Sequence, residues 1–355
     1  MNTAGRAEAL ALAAAHFPEL YPPTARDLVE CVRLELGHEE ILDGFQPYGG
    51  HLSMAVAPRT ILHILSGNTP HAAFQTLLRG LLLGSHNLVK FPSCGLGEME
   101  RFAEWLPPGL ASKMECSRQL TENWVDRADA WVVFGNDETV AELRKKCPVE
   151  VPFQPHGHRI SLGLVLDDHE GRSCAGAARD ICLFEQQGCL SSQVIFVEGD
   201  ALRYGEALTH EMAKYEAAHP VPSLTLESRA GIANARAEWE FRASVDPSVK
   251  VWKSAGEPGW TMVLDGSAEF PVSPGNRFIF IKPLTVFFDE WIARHSRHLG
   301  GLGIWPCTPG NALRFSSAGF SRICAIGRMQ EAPFTWHGDS KQNLASLVRW
   351  VDFEA

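Results

Sequence analysis

A chain of 355 residues with 45% hydrophobic composition can bury a large core and exceeds the usual span of one domain, so two domains are expected. With 32 Lys and Arg against 42 Asp and Glu, a formal charge of -10 and no basic tail, nucleic-acid binding is excluded as a working expectation. That charge gives no long-range attraction for a polyanionic substrate, so phosphates would need individually placed Arg, Lys or backbone N–H donors.

The N-terminal stretch MNTAGRAEALALAAAHF has Arg6 and Glu8 in a short, interrupted apolar run and reads as neither signal peptide nor membrane anchor. Residues 60–65 read as a buried strand ended by SGNTP, followed by a helix over 72–83 entered through Pro70. Arg79 and Gly80 interrupt the most apolar part of that helix, so no membrane span is expected. The cycle repeats with a strand at 86–90, a helix over 96–106, a strand at 130–134 and a helix over 137–146. This alternation predicts a parallel sheet covered by helices.

In PFQPHGHR, Pro152, Pro155 and Gly157 oppose a continuous helix and suggest a crossing between domains. A second α/β unit begins with a strand at 160–166, a helix near 175–186 and a strand at 193–198. Helical composition follows over 204–243, broken at HPVPS, and strands are expected at 261–264 and 276–281. Nine cysteines without a CxxC pair read as reduced thiols of a cytoplasmic protein.

Four strings carry candidate chemistry. In LFEQQGCLSSQVIFVE, Cys189 lies in a Gly-flanked turn between a helix and a buried strand, where a thiol can serve as an acyl-accepting nucleophile. A buried structural cysteine is the plainer alternative, and a helix ending just before Cys189 would oppose thiolate formation with its dipole. In ILSGNTP, Asn68 can donate to an oxyanion together with the Cys189 N–H, or simply form an Asx-turn before a helix. In NLVKFPSCG, Lys90 ends a strand where it can meet ribose hydroxyls or a 2′-phosphate, or be a solvated lysine. In VVFGNDETV, a Gly turn and a helix start suit a pyrophosphate, yet GxGxxG is absent and ordinary capping by Asn136 or Asp137 suffices.

His156 and His158 in PHGH lack partners at a metal-ligand spacing, so no metal is expected; either could exchange a proton or be structural.

Taken in order, ILSGNTP, NLVKFPS, FGNDETV, HGHRIS and QQGC resemble the aldehyde dehydrogenase superfamily. AARDICLFEQQGCLSSQ, LLRGLLLGSHNLVKFPS and SRICAIGRMQEAPFTWHGDS resemble, more closely, the acyl-CoA reductase family typified by the fatty-acid reductase of bacterial luminescence. The resemblance implies an α/β, aldehyde dehydrogenase-like fold: a Rossmann-type cofactor domain and an α/β catalytic domain, with the active site in the cleft between them. The expected division is 1–157 for NADP binding, 158–324 for the catalytic thiol, and 325–355 as a segment returning to the first domain or serving an oligomer contact.

It further implies Cys189 as nucleophile, Asn68 as oxyanion donor, and Ser66, Gly67, Lys90, Pro92, Ser93, Gly135, Asn136 and Thr139 as cofactor contacts. His158 is the candidate acid or base. In oxidising members of the superfamily a Glu activates water in the stretch comparable to FQPHGHR, and none stands here. The acyl-enzyme is then spared hydrolysis, which favours reduction of acyl-CoA to aldehyde by NADPH, with CoA released. A reductase of acyl phosphate or a carrier-protein thioester, and a noncatalytic binding subunit, are the rival readings; a homo-oligomer or an acyl-donating enzyme is the expected partner.

Overall fold

The computed structural model describes residues 1–67, 70–93, 95–256, 258–285 and 287–354. They form two compact units, Met1–His158 with Pro333–Ala355, and Arg159–Ala332.

In the first unit the apolar runs are short and buried on both faces, as a parallel sheet under helices requires. After β1 (Gln46–Tyr48) and β2 (His51–Val56) come β3 (Thr60–Ile64), β4 (His86–Lys90), β5 (Met114–Ser117), β6 (Ala130–Phe134) and β7 (Phe153–His156). The last five make a sheet in the order β5–β4–β3–β6–β7, every pair parallel. Leu62, Leu88, Trp131 and Val133 are fully buried in its core. Helices Pro70–Leu82 and Asp137–Lys146 follow β3 and β6.

The helix expected over 96–106 is instead one turn, Gly97–Glu100, and a 3-10 turn, Phe102–Trp105. Leu96, in left-handed conformation at φ 60°, and the Pro107-Pro108 pair leave too little room for a longer helix. The PFQPHGHR stretch forms β7, which sequence reading left without a strand.

The returning C-terminal segment is anchored to helix Ala25–Leu36 by one buried carboxylate. Glu35 accepts the Asn343 side-chain amide at 3.1 Å and the Leu344 and Ala345 N–H groups at 2.5 and 3.2 Å. The segment ends in β15 (Arg349–Phe353), antiparallel to β2.

The second unit holds β8 (Ile160–Val165), β9 (Ser192–Val197), β10 (Lys250–Lys253), β11 (Thr261–Leu264), β12 (Phe278–Pro283), β13 (Leu299–Trp305) and β14 (Arg322–Ala325). Their order is β10–β11–β12–β9–β8–β13–β14, parallel except for the β10 edge. Alternation along the strands divides two cores: Leu162, Leu164, Val194, Phe278 and Phe280 on one face, Val165, Ile195, Val197, Ile279 and Ile281 on the other. The helical stretch is Ala201–Ala218 and Leu226–Val245, parted at the two prolines of HPVPS.

Residues 325–332 stay with this unit. Buried Asp180, on helix Cys174–Cys182, accepts the Gly327 and Met329 N–H groups at 2.5 and 3.0 Å, and Arg179 pairs with Glu331 at 2.6 Å. Among the described residues no helix is long and apolar enough to cross a membrane, and Cys31, Cys116, Cys147, Cys174, Cys182, Cys189, Cys307 and Cys324 are all outside disulfides.

Candidate active site

In the first unit, strand order reverses between β3 and β6: the chain steps outward through β4 and β5, then returns to the other side of β3. Such a reversal leaves a crevice beyond the carboxyl ends of the strands. Ser66 and Gly67 follow β3, Lys90 is the last residue of β4 with Pro92 and Ser93 beyond it, and Gly135 follows β6 with Asn136 and Thr139. The eight expected cofactor contacts therefore gather at one edge of one sheet. Asn68 lies outside the described residues, as does Cys94.

Local chemistry explains how this edge is shaped. A Cβ on Gly95, at φ 82°, would stand 3.2 Å from the Gly67 carbonyl oxygen, so the β3 and β4 loops approach closely there only without a side chain. Asn136 caps helix Asp137–Lys146 by accepting the Thr139 N–H at 2.8 Å, and the Asp137 carboxylate accepts the His158 N–H at 3.0 Å. Among the described residues Lys90 has no ion-pair partner, while the nearby Glu100 is paired with Arg118 at 2.5 Å. A half-exposed lysine, a helix N-terminus and closely approaching glycine loops fit a dinucleotide.

Arg118, just beyond β5, was not singled out from the sequence. Its guanidinium donates to the Pro92 and Ser93 carbonyls, both at 2.7 Å, and so braces the β4 loop. Nothing in the sequence links Arg118 to a loop 25 residues earlier.

The two histidines part company. His158 is exposed, its backbone tied to Asp137. His156, at the end of β7, bonds through Nδ1 to the Asp339 carboxylate at 2.7 Å, with the two side chains 12% and 11% exposed. Its ring stacks on Phe134 at 4.3 Å between centroids. A carboxylate at Nδ1 fixes the orientation of the ring and of its Nε2. Asp339 is 183 positions away, so no local pattern could have distinguished His156 from His158.

In the second unit, helix Cys174–Cys182 ends seven residues before Cys189, and the chain turns through three consecutive non-glycine residues in left-handed conformation, Phe184, Glu185 and Gln186 at φ 54°, 53° and 58°. The carboxyl end of that helix therefore does not run into Cys189, which removes the adverse dipole expected from the sequence. A second left-handed pair, Asn276 and Arg277, meets the first. The Asn276 N–H donates to the Glu185 carbonyl at 2.9 Å, the Phe278 N–H to Gln186 Oε1 at 2.8 Å, and Arg277 pairs with the Glu185 carboxylate at 2.6 Å. Five strained residues persist because these contacts over-determine them, the pattern expected where a turn must present a group for chemistry.

Cys189 is exposed at the end of that turn, closed by the Ser191 N–H donating to the Gly188 carbonyl at 2.9 Å. By contrast Cys31, Cys174 and Cys182 are buried, and burial pushes each of their thiols up to about 12. Cys116 and Cys307 are also exposed, so exposure alone does not single out Cys189; the strained, cross-braced turn does. Among the described residues no cluster of His, Cys, Asp and Glu could hold a metal ion.

The profile of a family described as acyl-CoA reductase (LuxC) matches residues 23–350. The long-chain acyl-protein thioester reductase of Aliivibrio fischeri is 22% identical over 343 residues, covering 92% of this chain and 70% of that protein. Among solved structures, the methylmalonate-semialdehyde dehydrogenase of Oceanimonas doudoroffii superposes with a TM-score of 0.71 at 13% identity, covering 99% of this chain and 86% of that one. The succinic semialdehyde dehydrogenase of Streptococcus pyogenes, solved in complex with NADP+, gives a TM-score of 0.66 at 10% identity, covering 99% and 90%. The fold is that of the aldehyde dehydrogenases, as the ordered motifs implied.

Proposed function

This chain belongs to the acyl-CoA reductase (LuxC) family, and on that premise we propose that it reduces a long-chain acyl thioester to the aldehyde with NADPH, holding the acyl group on Cys189. The observation that carries the reading is the exposed thiol at the end of a strained turn fixed from Asn276 and Arg277, within the stretch matched to the family. The sequence pointed to free acyl-CoA as donor. The Aliivibrio fischeri relative is named for an acyl-protein thioester, which favours an acyl group delivered on a protein, and so an acyl-donating partner, over free acyl-CoA. Either donor offers the same carbonyl–sulfur bond.

In this reading the Cys189 thiolate attacks the thioester carbon, its new carbon–sulfur bond replacing the donor's, and the donor leaves as a thiol after taking one proton. NADPH, when bound, supplies the hydride that reduces the enzyme thioester. The resulting tetrahedral oxyanion collapses, the bond to Cys189 Sγ breaks, and aldehyde departs while the thiolate is restored. Ser66, Gly67, Lys90, Pro92, Ser93, Gly135, Asn136 and Thr139 would hold the cofactor, with Arg118 bracing their loop. Stretch 153–159 has no carboxylate to activate water, and its buried Gln154 spends its amide on the Gln342 carbonyl at 3.3 Å and the Ser346 hydroxyl at 3.2 Å. In this reading the stretch supplies no glutamate of the kind that activates water in oxidising members, which favours reduction over hydrolysis. His156 replaces His158 as our choice of proton-exchanging histidine, because Asp339 orients its ring.

The test is a donor panel of acyl-carrier protein, acyl-CoA and acyl phosphate with NADPH and with NADH, plus mass spectrometry of the enzyme with donor alone. The expected result is an acyl adduct on Cys189 and fastest NADPH consumption with the protein thioester. No adduct with any donor, or turnover without one, overturns the reading.

A further inference from the structure

We propose that Ser161 is a positioning residue for the Cys189 nucleophile, its hydroxyl holding the carbonyl of the nucleophile's own peptide. The proposal deepens the reading above and rests on Cys189 being the acyl carrier. Ser161 lies on β8 and is fully buried. Its hydroxyl donates to the Cys189 carbonyl at 2.6 Å and accepts the Gly301 N–H at 2.8 Å. The three groups form a relay, backbone N–H to hydroxyl to carbonyl, in which each bond polarises the next.

The surrounding sheet is shaped around this one side chain. On both sides of β8 the ladder slips at the level of Ser161. Toward β9 the pairing jumps from Ser161 with Ser192 to Leu162 with Val194, and toward β13 from Ile160 with Leu299 to Leu162 with Leu302. Each slip inserts an extra residue into the neighbouring strand, a feature that re-aims side chains and gathers near active sites. The slip on β13 frees the Gly301 N–H from the regular ladder, and the Ser161 hydroxyl takes it up. The neighbouring Gly300 has no Cβ where one would stand 2.8 Å from Ser161 Oγ and 3.3 Å from the Cys189 carbonyl oxygen. A side chain at 300 would drive the hydroxyl off its partner.

The consequence for chemistry follows from the peptide plane. Fixing the Cys189 carbonyl restrains ψ of Cys189 and so steadies the backbone from which the Sγ rotamer projects toward an incoming thioester. A serine merely filling a buried slot would need none of these alignments. Ser191, two residues past Cys189, is held separately: Gln330 donates to its hydroxyl at 2.9 Å.

The experiment compares Ser161→Ala, Ser161→Thr, Gly300→Ala and Gln330→Ala in the full chain. It reads kcat with the best donor, KM for NADPH, the rate of acyl transfer to Cys189 without NADPH, and the thermal midpoint. Misplacing a reacting group by a fraction of an ångström to an ångström costs roughly ten- to a hundredfold in rate. Ser161→Ala and Gly300→Ala are expected to lose that much in acyl transfer and kcat while KM for NADPH changes less than about twofold. Ser161→Thr, which keeps the hydroxyl, should recover most of the rate. Gln330→Ala should lower the midpoint without the loss in acyl transfer.

Equal loss of acyl transfer in Gln330→Ala, or wild-type acyl transfer in both Ser161→Ala and Gly300→Ala, overturns the role of Ser161. Should Ser161→Ala fail to fold, Gly300→Ala against Ser161→Thr decides alone. Retained turnover in Cys189→Ala would instead sink the nucleophile assignment, so the two failures are told apart.

Discussion

The two units bring their candidate residues to the surface by different means. In the first, the expected contacts lie at or just beyond the ends of regular elements: Lys90 closes β4, Gly135 follows β6, and Asn136 caps a helix whose register its own side chain sets. In the second, Cys189 stands on no regular element. Its turn is held by side chains from β8, from the segment before β12 and from the segment after β14, through five left-handed residues. A nucleotide is bound by repeated, tolerant contacts, whereas a nucleophile must be aimed. Strain and long-range bracing are found where aim matters.

The sharpest way to break this contrast is at the thiol. Cys189→Ala should reduce NADPH consumption by at least about a thousandfold with every acyl donor, since in this reading the acyl chain is carried on that thiol. NADPH binding, measured by fluorescence titration, should be unchanged. Retained turnover would put the chemistry elsewhere and leave the strained turn without a function.

Next in size is the brace itself. Arg277 is 2% exposed and pairs with Glu185 inside the double left-handed turn. Arg277→Met should destabilise the protein by about 3 kcal/mol, because it leaves the Glu185 carboxylate, itself 22% exposed, without its cation. Urea unfolding gives the stability, and acyl transfer to Cys189 should fall in the same variant at temperatures where it remains folded. Loss of stability with undiminished transfer would mean that the turn does not depend on its brace.

Acid should then separate the units. In the first, burial lowers the pKa of His63 to about 4, although the Asn87 side chain, 2.9 Å from its Nε2, opposes the shift. The unfolded chain takes up a proton near pH 6.5 that the folded state refuses, so this contribution is full above about pH 6.5 and shrinks as pH falls toward 4. At pH 5 the loss is about 2 kcal/mol.

In the second unit, burial raises Asp180 to about 7, against the pull of the Gly327 and Met329 N–H groups and of Arg179 and Arg322. Its folded pKa exceeds its unfolded one, so its contribution is full below the ordinary carboxylate range and is lost as pH rises through 7. Hydrogen exchange at pH 5 against pH 7, corrected for intrinsic rates, should show β3 and β4 losing protection while residues 327–329 gain it. Parallel changes in both would refute the opposition.

What was legible follows the same divide. β4, β6, helix Asp137–Lys146 and β11 have the bounds that apolar runs and cap residues predict, because their signals are local. The helix near 175–186 was read too long because left-handed Phe184, Glu185 and Gln186 are imposed by Asn276 and Phe278, about ninety positions on. Ser161, Arg118 and Asp339 act through partners 25 to 183 positions away, and no spacing rule reaches that far. A return of 325–355 to the first domain is one of two options the sequence offers; the point at which the chain leaves the second unit, after residue 332, and the Glu35 anchor that fixes the rest are set by tertiary contacts.

The smallest expected effect tests the tolerant side of the contrast. Lys90→Ala should raise KM for NADPH roughly tenfold, the worth of one charge-assisted contact to a phosphate or ribose, and leave acyl transfer to Cys189 untouched. Arg118→Ala removes no direct contact in this reading but releases the Pro92 and Ser93 carbonyls, so it should raise the same constant by only about threefold. The ratio of NADPH to NADH efficiency decides what Lys90 meets: a drop in that ratio assigns it to the 2′-phosphate, and an equal loss for both cofactors assigns it to the ribose hydroxyls. If Lys90→Ala lowered acyl transfer measured without cofactor, its role would not be confined to the nucleotide, and the division of labour between regular edge and strained turn would fail on its simpler side.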